Sequence, residues 1–319
     1  MNIDSKIFVA GHRGLVGSAL VRALSRQGYR NLLVRTHAEL DLTRQEAVRS
    51  FFAAERPDVV LLAAAKVGGI LANNTYPADF IRDNLAIQSN VIEQAYRHGV
   101  KQLLFLGSSC IYPKACPQPM REEYLLSGPL ESTNRPYALA KIAGVEMCHA
   151  YNRQYGTHFI AVMPTNLYGP NDNYDLQNSH VLPAMIRKMH EAKVRGDASV
   201  TVWGSGTPRR ELLHSDDMAD ASLYLLRAGD ERLAPLFRDD SPPLVNIGCG
   251  EDLSIAELAQ LVRRIVGFEG ELVFDRTKPD GTMRKLMDVS RMTALGWTAR
   301  IKLDDGIRAV YREFSAGQM

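Results

Sequence analysis

A tyrosine followed by a lysine four residues later is the most informative pair of chemical groups in this sequence. Tyr137 and Lys141 occur in Tyr-Ala-Leu-Ala-Lys, and none of the other eleven of the twelve tyrosines has a lysine at that spacing. Residues at i and i+4 lie on one face of a helix. An ammonium beside a phenol favours the phenolate, so we expect the pKa of Tyr137 well below its usual value of about 10. The pair predicts an acid/base for a carbonyl substrate, with a surface Tyr–Lys pair as the alternative.

The segment Gly107-Ser108-Ser109-Cys110 follows an apolar run and adds two further polar groups. A hydroxyl at Ser108 can hydrogen-bond the same substrate carbonyl as Tyr137. An arbitrary cysteine is more often a small buried hydrophobe than a catalytic group. Cys110 lies just beyond Ser108, however, and this position favours a role in the same pocket.

A glycine-rich loop precedes the first helical pattern of the chain. Gly11, Gly14 and Gly17 occur in Gly-His-Arg-Gly-Leu-Val-Gly, directly after the apolar run 7–10. Glycines permit a tight turn and let backbone N–H groups approach a pyrophosphate at a helix N-terminus. The loop therefore predicts a dinucleotide site, with a merely structural turn as the alternative.

The end of the second apolar run indicates which dinucleotide binds. An NAD site usually has Asp or Glu there, on the ribose 2′-hydroxyl. This chain has Arg35, and Arg13 stands inside the glycine loop. Two cations favour a 2′-phosphate, because a hydrogen bond to a charged group contributes about 1.5–3 kcal/mol. We therefore predict NADP(H), with two solvated surface arginines as the alternative.

Apolar runs that alternate with amphipathic stretches predict the elements that position these groups. Candidate strands are 6–10, 31–35, 59–63, 102–107 and 158–163, and candidate helices are 17–27, 44–55, 78–98 and 136–155. This alternation predicts an α/β fold, a Rossmann-type doubly wound parallel sheet with a smaller α/β substrate-binding C-terminal domain. We divide the chain into 1–165, which binds the cofactor, and 166–319, which mainly binds substrate. An open alternative is that segments around 205–250 pack back against the first domain.

Composition argues against several classes of protein. Lys+Arg number 38 against 36 Asp+Glu, a net charge of +2, which disfavours nucleic-acid and polybasic membrane binding. Arginine supplies 28 of the 38 cations, so a phosphorylated small molecule stays open as a partner. Four cysteines and eight histidines show no metal-ligand spacing, which predicts no metal and no disulfide scaffold. No signal peptide or membrane span is evident, so we expect a cytoplasmic protein without membrane association.

These motifs together resemble the extended short-chain dehydrogenase/reductases that act on nucleotide sugars. The glycine spacing, Asp41-Leu42 and the segment 210–217 are similar to that superfamily's cofactor loop, adenine contact and RxxxHxxD segment. The last segment is also compatible with a returning strand and a helix cap. Dehydratases of this group carry Thr-Asp-Glu where this chain has Ser-Ser-Cys, and 4-epimerases typically carry Ser-Ser-Ala. Cys110 is therefore the informative departure.

Several longer stretches are similar to the GDP-L-fucose synthase family. They are 64–70, 72–77, 107–114, 163–170, 178–181 (Asn178 to Val181), 203–210 and 278–281. The resemblance implies that GDP-4-keto-6-deoxy-D-mannose is epimerised at C3 and C5 and then reduced at C4 by NADPH, giving GDP-L-fucose. It also implies Cys110 as base and His180 as acid, whose usual pKa values of about 8.5 and 6.5 bracket neutrality. Ser108, Tyr137 and Lys141 would stabilise the enolate and deliver the proton that completes reduction.

The same resemblance assigns ligand contacts and an oligomeric state. The cofactor residues that it implies are Gly11, His12, Arg13, Gly14, Leu15, Val16, Gly17, Arg35, Asp41, Leu106, Gly107, Ser108, Ser109, Tyr137, Lys141, Pro164, Thr165, Asn166, Leu167 and His180. For the GDP group it implies Lys188, Trp203, Arg210 and Asp280, although Trp203 as a simple core residue is an open alternative. A homodimer is expected, packed through Asn84 and the helix 78–98.

Two other functions remain open at this point. The first is a 4-epimerase or reductase for another nucleotide sugar, which would not exchange protons at C3 and C5. The second is a redox-sensing NADPH-binding regulator that does no chemistry. The intact set of Ser108, Tyr137 and Lys141 argues against the regulator, since binding alone needs no proton donor.

Overall fold

The computed structural model describes residues 1–176, 179–278 and 280–317. The strands are β1 (Ile7–Ala10), β2 (Leu32–Leu33), β3 (Val59–Leu62), β4 (Gln102–Leu106), β5 (His158–Pro164), β6 (Asn166–Tyr168), β7 (Ser199–Trp203), β8 (Arg209–His214), β9 (Leu244–Ile247), β10 (Asp252–Ser254), β11 (Glu271–Asp275) and β12 (Arg284–Lys285). The α-helices are α1 (Leu15–Arg26), α2 (Gln45–Glu55), α3 (Ile70–Thr75), α4 (Pro77–Arg97), α5 (Arg135–Tyr155), α6 (Val181–Arg195), α7 (Ser215–Arg227), α8 (Asp230–Leu233), α9 (Ile255–Val266), α10 (Ser290–Ala294) and α11 (Leu303–Ala316). Short 3-10 helices cover Ser109–Ile111, Glu122–Tyr124 and Ala234–Leu236.

Six parallel strands form the large sheet in the order β2-β1-β3-β4-β5-β9. The five predicted strands and four predicted helices are confirmed, with ends shifted by a few residues. The largest difference is β2, which keeps two of five predicted residues because it lies at the sheet edge and its side chains are only half-buried. The predicted doubly wound parallel sheet is therefore confirmed.

Helices cover both faces of this sheet, as the buried apolar runs require. Along β1, Ile7 and Val9 pack on one face with α1 and α7, and Phe8 and Ala10 pack on the other with α2, α4 and α5. Successive side chains of a strand point to opposite faces, so a strand buried on both sides reads as a continuous apolar run. In this kind of fold, ligands bind at the carboxyl ends of the strands.

Smaller sheets and a third core lie in the C-terminal half. Strands β10, β8 and β12 pair side by side with β6 also on β8, and β11 pairs with β7. Helices α6, α9 and α11 supply most of the apolar residues of this core. Within 205–250, β9 pairs with β5 and α7 packs on the large sheet. We keep the proposed boundary near residue 165 and assign α7 and β9 back to the first domain.

Within the described ranges, no helix is both long and apolar enough to cross a membrane. The same residues contain no group of three or more His, Cys, Asp or Glu side chains that could hold a metal ion. All four cysteines are free thiols.

Candidate active site

The loop between β1 and α1 forms a cradle that depends on glycine at two positions. Gly11 has φ +85°, and a Cβ there would lie 2.8 Å from the Cα of Ala64. A Cβ on Gly17 would lie 2.0 Å from the carbonyl oxygen of Gly11. No side chain caps α1, whose N-cap residue is Gly14. The first N–H groups of α1 are therefore left for an anion such as a pyrophosphate.

His12 gives this cradle a second sign of a ligand. Its Nδ1 is buried and has no hydrogen-bond partner among the described residues. Buried polar atoms are normally paired, so an orphan beside a helix N-terminus fits a polar ligand. Arg13 and Gly14 are exposed, whereas Leu15 is half-buried and Val16 packs into the core below the loop. The residues present therefore fit a dinucleotide.

Two arginines from different loops lie near Glu39. Arg35 follows β2 and donates through Nη2 to Oε1 of Glu55 at 2.7 Å. Hydrogen bonds from Thr36 hold the pKa of Glu39 below its usual value, and the charges of Arg35 and Arg13 add smaller effects in the same direction. Both guanidinium groups therefore act on one region, as a 2′-phosphate site requires.

The Ser108, Tyr137 and Lys141 side chains come together where β4 meets α5. Lys141 is buried, its Nζ donates to the carbonyl oxygen of Leu106 at 2.8 Å, and it lies 5.8 Å from the centre of the Tyr137 ring. The Ser108 side chain acts on the Tyr137 phenol and opposes the rise of its pKa. The helical spacing and the strand end have produced the predicted constellation.

The expected low pKa of Tyr137 is wrong for this structure. Burial raises the pKa of Tyr137 above its usual value, the charge of Cys110 adds to this, and the hydrogen bond with Ser108 only partly opposes it. The same burial lowers the pKa of Lys141 to about 8. Desolvation disfavours both charged forms and outweighs the attraction between phenolate and ammonium. Tyr137 is thus a protonated acid at neutral pH.

The other residues predicted for the cofactor lie around the same sheet edge. Thr165 is buried, and its hydroxyl donates to the carbonyl oxygen of Glu211. The side-chain amide of Asn166 donates to the same oxygen. Asp41 accepts from Thr43 in a turn beyond β2, so its part in adenine binding stays a prediction. Leu106 and Pro164 end β4 and β5, Gly107 follows β4, Ser109 begins the 3-10 helix, and Asn166 and Leu167 lie in β6.

Cys110 lies in the 3-10 helix that follows Ser108, and its backbone N–H donates to the Ser108 hydroxyl at 3.4 Å. Burial raises the pKa of the Cys110 thiol, and Ser108, Lys285 and Lys141 partly oppose that shift. Cys110 in turn affects the pKa values of Tyr137 and Lys141. The thiol therefore lies close to Ser108, Tyr137 and Lys141.

His180 directly precedes α6 and leaves part of its ring exposed. Surrounding protein atoms nevertheless lower the pKa of its imidazole by desolvation, and the charge of Lys285 lowers it further. Its neighbour Asn178 lies outside the described residues. Because the pKa of Cys110 is raised and that of His180 is lowered, the resting pair is a neutral thiol and a neutral imidazole.

Trp203 stands on the surface, so its interpretation as a core residue is wrong. Its side chain is 63% exposed at the end of β7. The ammonium of Lys188 lies 5.1 Å from the Trp203 ring centre and that of Lys278 lies 5.6 Å away. An exposed indole beside two cations can stack on a planar base that carries phosphate groups.

Arg210 and Asp280 lie close to this surface. The Nη1 of Arg210 donates to the carbonyl oxygen of Thr282 at 2.6 Å. Burial lowers the pKa of Arg210, and the charge of Asp280 opposes that shift. Asp280 accepts from the N–H of Ser205 at 2.9 Å and from its hydroxyl at 2.7 Å. The loop around residue 280 thereby brings its carboxylate near the guanidinium.

The segment 210–217 is also a strand followed by a helix cap, as its alternative interpretation predicts. The Nδ1 of His214 accepts the N–H of Asp216 at the start of α7. Asp217 is buried and accepts the N–H groups of Arg300 and Ile301. His214 and Asp217 are therefore structural, whereas Arg210 remains available to a ligand.

Sequence reasoning missed two lysines at this site. Lys278 begins a quoted motif but carries no assigned role, and Lys285 stands in no motif at all. Lys285 lines one cavity with Cys110 and also lowers the pKa of His180. Its position depends on pairing between β12 and β8, which local spacing does not reveal.

Fold and site together define an enzyme class with a Rossmann-type cofactor domain and carbonyl acid/base chemistry. The chain belongs to the NAD dependent epimerase/dehydratase family, whose model matches residues 7–248. It is 61% identical to GDP-L-fucose synthase 1 of Arabidopsis thaliana over 97% of this chain and 92% of that protein. Identity to GDP-L-fucose synthase of Escherichia coli (strain K12) is 53%, over 98% and 97%. A GDP-mannoheptose C4 reductase from Campylobacter jejuni with NADP bound has TM-score 0.90, 43% identity and 99% coverage of both chains.

Proposed function

We infer that this protein is an NADPH-dependent enzyme that converts GDP-4-keto-6-deoxy-D-mannose to GDP-L-fucose. Near-full-length identity to GDP-L-fucose synthases of a plant and a bacterium supports this reaction. The observation that carries the mechanism is the Cys110 thiol within the Ser108–Tyr137–Lys141 pocket. One pocket can therefore both epimerise and reduce, because both steps polarise the same C4 carbonyl.

We propose that Cys110 and His180 perform the epimerisations. Protons at C3 and C5 are acidified by the C4 ketone, but their removal needs a base and their return on the opposite face needs an acid. Cys110 takes the proton as a thiolate, and His180 gives one as an imidazolium. Hydrogen bonds from Ser108 and Tyr137 stabilise the enolate oxygen in this water-poor pocket.

Reduction then uses the other half of the pocket. The glycine cradle and the two arginines would hold NADPH, which would supply hydride for the reduction of C4. The phenol of Tyr137 donates a proton to the C4 oxygen. The ammonium of Lys141, on the next turn of the same helix, stabilises the phenolate that this transfer leaves. The raised pKa keeps Tyr137 protonated at neutral pH, so its proton is present when C4 is reduced.

For the GDP group we propose a surface made by four residues. Trp203 stacks on the base, Lys188 and Arg210 bind the diphosphate, and Asp280 positions the loop beside Arg210. The exposed indole and the neighbouring ammonium of Lys188 support this assignment.

Epimerisation should show a broad pH optimum. Below the lowered pKa of His180 the thiol is protonated and no base is present. Above the raised pKa of Cys110 the imidazole is neutral and no acid is present. Between these two pKa values, the state with Cys110 as thiolate and His180 as imidazolium is a constant fraction of the state in which both are neutral. The exchange rate should therefore be constant over a pH range wider than the roughly two units that separate the usual pKa values of cysteine and histidine. Deuterium incorporation without NADPH measures the profile, and a narrower bell contradicts it.

Replacing Arg35 should weaken the preference for NADPH over NADH. Arg35→Ala removes a charge-assisted bond to the 2′-phosphate of about 1.5–3 kcal/mol, so the kcat/KM ratio of NADPH to NADH should fall about 10- to 100-fold. Arg49→Ala removes an exposed arginine of α2 that pairs with Glu46, and it is the matched control. An unchanged ratio in Arg35→Ala would place the 2′-phosphate elsewhere.

One experiment separates this function from its nearest alternative. The Campylobacter jejuni relative is named as a reductase, which makes simple C4 reduction the competing activity. The enzyme is incubated with GDP-4-keto-6-deoxy-D-mannose and NADPH in D₂O. NADPH oxidation with deuterium at C3 and C5 supports the two-step reaction, whereas oxidation without deuterium leaves reduction alone.

We also propose a homodimer formed through the outer faces of α4 and α5. The suggested role of Asn84 is wrong, because its side chain is buried in its own chain and bonds Lys66 and Phe80. Leu139 of α5 is 44% exposed and is a better candidate for a contact. Light scattering should give twice the chain mass of 35.5 kDa, and Leu139→Glu should reduce it. The cytoplasmic location stays a prediction.

A further inference from the structure

Lys285 projects from a short strand that is fixed on both sides. Strand β12 runs parallel to β8 with Lys285 opposite Arg210. The next two backbone N–H groups donate to the side chains of Gln118 at 2.9 Å and Glu211 at 2.8 Å. Glu211 is fully buried. The backbone at Lys285 is therefore held in place, and its side chain starts from a rigid position.

Adjacent residues of β12 have different partners. Arg284 pairs with Asp252 at 2.5 Å, whereas Lys285 forms no ion pair or hydrogen bond with any described residue. Successive side chains of a strand point to opposite faces, so this difference follows from the strand itself. The Lys285 ammonium is left free to act on the cavity beside it.

That cavity is lined by both Cys110 and Lys285. Its other cations already have carboxylate partners: Lys114 lies 2.8 Å from Glu131, and Arg284 pairs with Asp252. Among the described cavity residues, Lys285 is thus the cation without an ion pair, although the charge of Glu131 raises its pKa. The charged and titratable groups around the thiol and the Lys285 ammonium are Lys114, Cys116, Glu131, Arg210, Arg284, Tyr112, Tyr137 and Lys141.

We propose that Lys285 is a positioning residue whose unpaired ammonium stabilises the Cys110 thiolate and makes the His180 imidazolium a stronger acid. This inference rests on the proposed epimerisation and adds a residue to it. A single cation near both groups helps both proton transfers, because it favours the charged base and disfavours the charged acid. Its charge lowers the pKa of Cys110 against burial and lowers the pKa of His180 together with burial. Cys110 reciprocally raises the pKa of Lys285, while burial lowers it.

The thiol itself provides a test that needs no substrate. Thiolate absorbance near 240 nm is followed against pH, and the Cys110 part is the difference from Cys110→Ser. In Lys285→Gln the midpoint should rise by about one pH unit, which corresponds to about tenfold less thiolate at neutral pH. Lys285→Arg should restore the midpoint, and Lys101→Gln, a surface lysine paired with Asp58, should leave it unchanged. An unchanged midpoint in folded Lys285→Gln overturns the proposal.

A second measurement separates tuning from a structural defect. In Lys285→Gln both limbs of the deuterium-exchange profile should move to higher pH, since the pKa values of Cys110 and His180 both rise. A loss of rate without movement of either limb would mean that Lys285 only supports the fold, and this outcome also overturns the proposal. If Lys285→Gln does not fold, Lys285→Met is measured in the same way. Should the wild type exchange no deuterium, the proposed function fails while the thiol midpoint still tests Lys285.

Discussion

Replacing Cys110 with serine is expected to reduce deuterium incorporation at C3 and C5 at least about 100-fold. A positioned general base contributes roughly 10²–10⁴-fold, and a serine hydroxyl is far too weak an acid to be ionised by the same surroundings. The substitution changes one buried atom, so the packing around the 3-10 helix and the contact with Ser108 should persist. Hydride transfer should fall much less, because Tyr137 and Lys141 remain. The measurement is mass spectrometry of the sugar after incubation in D₂O without NADPH.

Cys249→Ser is the matched control for this substitution. Its thiol contacts the carbonyl oxygens of Leu212 and Glu251, which a hydroxyl can also bind, and it lies outside the pocket. Exchange in Cys249→Ser should stay close to that of the wild type. If Cys110→Ser loses epimerisation and hydride transfer equally, the thiol serves the whole site and is not the base.

Most of the fold could be predicted because its signals are local. Buried parallel strands are short apolar runs, and the runs that became β1, β3, β4 and β5 each differ from their predictions by one residue. The glycine loop and the Tyr137–Lys141 pair are local in the same sense, since one turn or one helical face carries each. The edge strand β2 was predicted too long because burial on one side of a sheet is not visible in its sequence.

What failed depends on contacts between distant segments. Lys285 lies beside Cys110 because β12 pairs with β8, which places Lys285 opposite Arg210, 75 residues earlier in the sequence. No motif includes Lys285. Asn84 reads as a polar residue on a helix face, yet it holds the loop at Lys66. For Tyr137, the spacing to Lys141 indicates which charge lies near the phenol, but it does not indicate how far folding excludes water from the phenol. Burial therefore reversed the expected direction of its pKa.

Replacing Tyr137 with phenylalanine should reduce NADPH oxidation about 10²–10⁴-fold, the usual contribution of a positioned acid. The ring keeps its edge contact with Phe80, whose centre lies 6.2 Å away, so the helix should stay in place. Deuterium exchange should fall by a smaller factor. Stabilising an enolate requires only hydrogen-bond donation, which Ser108 still provides, whereas reduction needs a proton delivered to oxygen.

The pH dependence distinguishes this role from simple binding. The pKa of Lys141 lies at about 8, so wild-type reduction should decline above that pH as the ammonium beside Tyr137 loses its proton. In Tyr137→Phe the residual reduction no longer passes through the phenol, and this alkaline decline should disappear. NADPH oxidation measured between pH 6 and pH 9.5 in both proteins tests the point. A Tyr137→Phe enzyme that is slow but keeps the decline would show that Lys141 acts on the C4 oxygen without the tyrosine. The protonated state of one buried pair thus sets the pH range in which the second half-reaction is fast.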